Sequence, residues 1–305
     1  MVGGKLVAKT MTSILENVDK TIIKLLLDSS VIDPVYEKPQ HRHLKCFQRL
    51  KLGKVPNEFG YQLVSIIYNQ INSNWRDGDR QDRKIRSSQN FRFVPQLNSR
   101  KQVLTSARSY TEVSLERRIV EVAERQWPGT WANQVPTSSG LLNSVRDTHR
   151  NIDLVCRRND GSVELIELKV ITQSGHPLFA ALEILQYGVL YMFYRIHNLR
   201  QLEPPNSIPK FLDAKTIHLR VLAPQSYYCQ SKPAEGMLAL LDRIITDGLS
   251  GFLAEHEDEL DHLKMKFQFE SFSSDFMQDK ISIPESFDEI VAAVLNRQPV
   301  CSKHI

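Results

Sequence analysis

Two short apolar runs joined by a tight turn constrain this chain more than any other feature. Asn151-Ile152-Asp153-Leu154-Val155 leads through Arg157-Arg158-Asn159-Asp160-Gly161-Ser162 into Val163-Glu164-Leu165-Ile166-Glu167-Leu168-Lys169-Val170. Asp-Gly between apolar runs is a strong short-range signal for a β-hairpin. Side chains alternate along a strand, so Glu167 and Lys169 leave the same face. A hairpin can bring Asp153 beside them. Two carboxylates and an ammonium would then meet on one sheet, a set suited to a divalent metal and an activated water.

Solvated polar positions on an alternating strand are the plainer reading of those charges. Their neighbours argue against it. Ile152, Leu154, Val155, Cys156, Val163, Leu165, Ile166, Leu168 and Val170 all invite burial. Val155 shares a face with Asp153, and Val163 and Leu165 share one with Glu167 and Lys169. A sheet covered on both sides is therefore expected, and charges inside it are unfavourable unless paired or metal-bound.

The chain has 305 residues, enough for one or two domains with a sizeable core. Its hydrophobic fraction of 41% and charged fraction of 24% suit a soluble globular protein. Apolar runs such as residues 21–27 are too short to span a bilayer. The N-terminus has no long apolar stretch before a small-residue cleavage site. Cys46, Cys156, Cys229 and Cys301 are scattered without a CxxC pair, as expected for free thiols in a reducing cytosol. The expectation is a cytoplasmic protein with no membrane association. His41, His43 and Cys46 are zinc-ligand types, but they lack a fourth ligand and a standard spacing, so no zinc site is expected there.

The net charge of +4 hides an asymmetry. Residues 1–110 hold 19 Lys and Arg against 9 Asp and Glu. The densest basic run, Arg76 to Arg108, is interleaved with Phe91 and Phe93 and preceded by Trp75. Basic residues among aromatics suit a phosphate backbone, and equally a solvated linker.

Periodicity predicts helices over about 13–27, 58–72, 111–126, 177–197, 234–253 and 287–295. The helix over 177–197 is apolar nearly all round, interrupted by Glu183, Gln186, Tyr187 and Tyr191, and should be buried. Further strands are predicted over 216–222 and 264–272. Glu112 and Glu116 lie one turn apart near the start of their helix, where acidic residues ordinarily serve the helix dipole. His149, with Arg146 and Arg150, reads as a loop histidine near basic residues. The polar stretch over 73–105 suggests a boundary between a mainly helical basic region (1–105), for nucleic-acid binding or oligomerisation, and a second domain (106–305).

The order of helix, strands, hairpin, helix and strand, with Asp153 and then Glu167-Leu168-Lys169 on the hairpin, resembles the PD-(D/E)xK nuclease superfamily. The resemblance covers roughly residues 110–225, and its motif is short and degenerate. It implies an α/β fold with a restriction-endonuclease-like core, a central mixed four-stranded sheet flanked by helices. Asp153 matches the first acidic position and Glu167 to Lys169 the (D/E)xK. Glu116 stands on the preceding helix, where many members place another acidic residue. Gln186 and Tyr191 stand on the following helix, where some members carry Gln and Tyr. Ile152 occupies the place of the motif's Pro, and Gln186 and Tyr191 are five apart instead of the four of the RecB-like branch.

The resemblance implies a metal-dependent nuclease that hydrolyses phosphodiester bonds in DNA, with RNA left open. Restriction, phage defence and repair are all compatible roles. Asp153, Glu167 and Lys169 would be catalytic. Mg²⁺ or Mn²⁺ would be held by Asp153, Glu167, the Leu168 carbonyl and Glu116, with Gln186 in support. A homodimer would cut both strands. The alternative is a catalytically silent nucleic-acid-binding or scaffold protein of the same fold.

Overall fold

The turn between the two apolar runs closes as its residues dictate. Gly161 takes a left-handed φ of 80°, which glycine adopts without strain. The Asp160 carboxylate accepts from the Ser162 N–H (2.9 Å) and hydroxyl (2.6 Å). The flanking runs become β2 (Asn151–Arg157) and β3 (Val163–Leu168), antiparallel, with Val155 opposite Leu165. The computed structural model describes residues 13–31, 55–77, 90–95, 112–138, 150–169, 176–199, 211–230, 236–272 and 287–300. His41, His43, Cys46, Arg146, His149, most of the basic run and the boundary expected near residue 105 lie outside them.

The chain is mixed α/β. Helices α1 (Val18–Asp28), α2 (Phe59–Asp77) and α3 (Glu112–Gln126) precede β1 (Trp131–Pro136) and the hairpin. Then follow α4 (Pro177–Ile196), β4 (Thr216–Ala223), α5 (Gln225–Gln230), α6 (Met237–Glu255), α7 (Glu257–Leu260), β5 (Lys264–Ser271), α8 (Phe287–Leu295) and β6 (Gln298–Pro299). The strands form one sheet in the order β1-β2-β3-β4-β5-β6. The β3–β4 and β4–β5 pairs are parallel, and the others antiparallel.

The sheet has six strands where four were expected. The predicted 264–272 strand pairs with β4 over its whole length, and Gln298-Pro299 adds to its far edge. Strand β1 was not foreseen, because Trp-Ala-Asn-Gln-Val-Pro shows no clean alternation. It lies at the sheet edge, where Pro136 is tolerated.

Both faces are covered. One carries α4 on β3 and β4 and α6 on β5, and beyond them α1 and α2 share the same apolar core. The other carries α3 and α8, packed on Leu154, Ile166, Leu168 and Leu222. Among the described residues only α4 is long and apolar enough to cross a bilayer, and 89% of its apolar window is buried inside the fold. Its environment is that of a core helix. Helices α2 and α6 touch backbone to backbone. A Cβ on Gly60 would come within 2.1 Å of the Ile244 carbonyl, and one on Gly248 within 2.2 Å of the Gly60 carbonyl.

Glu164 shares the α3 face of β3 and is buried there with charges for partners. Arg158 reaches it at 2.6 Å, and Arg297, just beyond α8, pairs with it as well. Arg297 also holds Glu270 of β5 at 2.5 Å, and Arg220 of β4 holds Glu270 at 3.0 Å. The C-terminal segment is thereby fastened to three strands through buried ions. A cavity of about 540 Å³ opens at this end, lined by Trp127, Arg158, Glu164, Leu295 and Arg297. Its buried charges already satisfy one another, so they converge on no ligand.

Candidate active site

At the opposite end of the hairpin the ladder opens, and that opening builds the site. The β2–β3 register would place Asp153 opposite Glu167, but regular pairing stops at Leu154 and Ile166. There the Leu168 N–H donates to the Asp153 carboxylate at 2.9 Å. The Lys169 N–H turns the other way, to the Leu222 carbonyl of β4 at 2.9 Å. On the other side of β2 the β1 pairing skips the Gln134–Asp153 position. Gln134 sits at φ 49°, a left-handed conformation that a non-glycine residue adopts at a cost of about 1–2 kcal/mol. Its side-chain amide donates to Glu116 at 2.6 Å, and its carbonyl oxygen accepts from Asn151 at 3.2 Å.

The result is a crowd of carboxylates around one ammonium. Glu167 is 3% exposed and pairs with Lys169, itself 9% exposed. Glu112, from the first turn of α3, lies 3.8 Å from the Lys169 Nζ. Glu116, one turn on, is buried. Glu183 of α4 faces the group from the other side and lies 3.9 Å from Arg150. The Oε1 atoms of Glu112 and Glu116 are buried with no hydrogen-bond partner among the described residues.

Burial pushes the Asp153 carboxyl up to about 7, against the pull of Lys169 and the Leu168 N–H, and Glu183 and Glu112 add to the rise. Burial, with Asp153 beside it, pushes Glu116 up to about 8. Burial and Asp153 likewise hold Glu167 well above the usual carboxylate range. Burial alone would lower the Lys169 ammonium, but Glu167, Asp153, Glu183 and Glu112 outweigh it and raise it well above its ordinary value. Lys169 is therefore a cation at neutral pH. Its counter-ions are more numerous than it can satisfy.

This excess of hard oxygen donors, with two buried carboxylate oxygens left over, is chemistry that fits a divalent cation. Among the described residues no three His, Cys, Asp or Glu side chains already close on one point as a ligand set. Lys169 holds the position against Glu167 that a cation would contest.

Asp153, Glu167, Leu168, Lys169 and Glu116 thus come together. Gln186 stands one step away. Its amide donates to Asp19 of α1 at 2.9 Å, and Asp19 meets Arg150 at 3.4 Å. The Tyr191 hydroxyl points elsewhere, to the Phe211 carbonyl at 3.1 Å. Sequence reasoning took Glu112 for a dipole residue and Glu183 for a polar interruption. The signal for Glu112 was its spacing one turn before Glu116, and that for Glu183 was a carboxylate in an otherwise apolar helix. Gln134 gave no signal.

A buried carboxylate whose folded pKa is raised opposes folding once pH exceeds its unfolded value, and the penalty grows until the folded pKa is passed. Replacing Glu116 by the isosteric amide removes that penalty. With EDTA at pH 9, Glu116→Gln is expected to raise Tm by about 2–4 °C, equivalent to ~1–2 kcal/mol for a chain of this size. At pH 4, below the ordinary carboxyl value of 4.5, Glu116 is protonated in both the folded and the unfolded chain and the gain should largely vanish. Thermal melts at the two pH values check both signs.

No family model, curated protein or solved structure matches the chain.

Proposed function

We propose that the chain is a divalent-metal-dependent nuclease of the PD-(D/E)xK kind that cuts DNA, most simply as an endonuclease. The observation that carries this reading is the opened ladder. It sets Asp153, Glu167 and Lys169 together at one end of the sheet, with Glu116 arriving from α3. Strands β1 to β4 with α3 and α4 would constitute the restriction-endonuclease-like core, and β5 and β6 an extension of it.

Asp153, Glu167, the Leu168 carbonyl and Glu116 would hold Mg²⁺ or Mn²⁺. Such an ion, when bound, supplies charge neutralisation on the phosphoryl group and eases deprotonation of the attacking water. The chain's own residues do the rest. Lys169, an ammonium by virtue of its neighbours, donates to the water or to a phosphate oxygen and stabilises negative charge as the P–O bond to the leaving oxygen breaks. Gln134 and the Leu168 N–H hold Glu116 and Asp153 in place. Gln186, through Asp19 and Arg150, braces the α4 side. The basic first third of the chain would engage the DNA backbone, and a homodimer would cut both strands. A cytoplasmic location fits this role.

The test is digestion of closed-circular and linear DNA with Mg²⁺ or Mn²⁺, alongside EDTA and an Asp153→Ala control. Cutting of circles that needs the metal and Asp153 is the expected result. Equal DNA loss with EDTA, or with Asp153→Ala, would remove the assignment.

A further inference from the structure

Two adjacent tyrosines on α5 have opposite fates. The rings of Tyr227 and Tyr228 meet edge to face with centroids 5.3 Å apart. The Tyr228 hydroxyl lies 2.9 Å from the carbonyls of both Val221 and Glu270, on neighbouring strands β4 and β5. Tyr227 is just as buried, at 2% exposure, yet its hydroxyl has no hydrogen-bond partner among the described residues. A buried O–H left without an acceptor is unfavourable, and phenylalanine would fill the same space without that penalty.

The location of this hydroxyl is informative. Helix α5 begins directly after Pro224, where β4 ends, and the Tyr227 N–H closes its first turn onto the Pro224 carbonyl at 2.9 Å. Two residues earlier, the Leu222 carbonyl accepts the Lys169 N–H. Tyr227 therefore sits over the end of the β3–β4 pair, beside the opened ladder. Burial raises its phenol well above the ordinary value; Lys169 opposes the shift, and Glu167, Glu112 and Glu183 add to it. The group is a neutral donor throughout the working pH range. The nearby carboxylates do not accept its proton as they stand.

Resting on the nuclease reading, we propose that the Tyr227 hydroxyl donates a hydrogen bond to a non-bridging oxygen of a substrate phosphodiester, positioning that phosphate beside Lys169. A phosphate oxygen entering the site would supply the acceptor that no described residue provides. Tyr228 finds its acceptors within the fold, whereas Tyr227, beside the opened ladder, has none among the described residues until a substrate oxygen arrives.

The test is Tyr227→Phe, which removes one oxygen atom. In EDTA its Tm is expected to equal or exceed that of the wild type; a fall of about 2 °C or more would mark a structural hydroxyl and overturn the inference. DNA affinity is compared in a cleavage-silent background, Lys169→Ala against Lys169→Ala/Tyr227→Phe, by fluorescence anisotropy of a short labelled duplex with Mg²⁺. The double variant should bind about 10-fold more weakly, as for a lost hydrogen bond to a charged group. Tyr227→Phe alone should cut about 10–100-fold more slowly. If the wild type cuts, Lys169→Ala does not, and Tyr227→Phe matches the wild type in both affinity and rate, the Tyr227 assignment alone falls. If the wild type cuts nothing, the nuclease reading falls and takes this inference with it.

Discussion

Lys169→Ala is expected to slow metal-dependent DNA cleavage by about 10²–10⁴-fold, the range typical of losing one positioned catalytic group, while duplex binding with Mg²⁺ present is largely kept. Among the described residues Lys169 is the one ammonium facing Glu167, Glu112, Asp153 and Glu183. The carboxylates around it raise its pKa, which suits it to act as an ammonium that donates and stabilises charge. An activity defect that grows only above pH 10, or a cleavage rate unchanged by the substitution, would contradict this. Lys169→Arg should recover little, because a planar guanidinium cannot take the compact position between Glu167 and Glu112. Single-turnover digestion of a labelled duplex separates the chemical step from binding.

The largest stability effect is expected far from that site. Arg297→Met should destabilise the protein by about 3–5 kcal/mol, because it strips the buried Glu164 and Glu270 of a shared counter-ion. Burial opposes the ionised Glu164, but Arg297 and Arg158 outweigh it and hold its carboxyl below the usual range. A depressed carboxyl stabilises the fold above its unfolded pKa, and that contribution disappears as pH falls through the folded value. The gap between wild type and Arg297→Met should therefore be widest near pH 7 and should narrow below pH 4.5. Adding Glu164→Gln to Arg297→Met should recover part of the loss, since it removes the stranded charge. Urea melts across pH measure all three.

Helix and strand spans were legible because they rest on local pattern. The apolar stripe of α2, the all-round apolarity of α4 and the clean alternation of β5 each announce themselves over six or more residues. The core of the site was legible for the same reason: Asp160-Gly161 sets the hairpin register, and register sets which charges face each other. Features that depend on chain segments distant in sequence were not legible. Strand β1 exists because β2 offers it an edge, against its own weak propensity. Gln134 matters because its backbone leaves the ladder, which no side-chain pattern encodes. Tyr227 could not be told from Tyr228 until α5 was oriented, since the two differ only in where their hydroxyls end.

The ionic clasp between Glu164 and Arg297 also fixes an order of events during synthesis. Glu164 leaves the ribosome 133 residues before Arg297. Until then β3 must keep a carboxylate with only Arg158 and Arg220 to answer it, and the α3 face lacks the cover of Ala293 and Val294. Until Arg297 emerges, the nascent sheet lacks part of the charge pairing and apolar cover that the folded chain gives this end. Docking of α8 is thus a late step, after the hairpin that carries the proposed metal site has emerged.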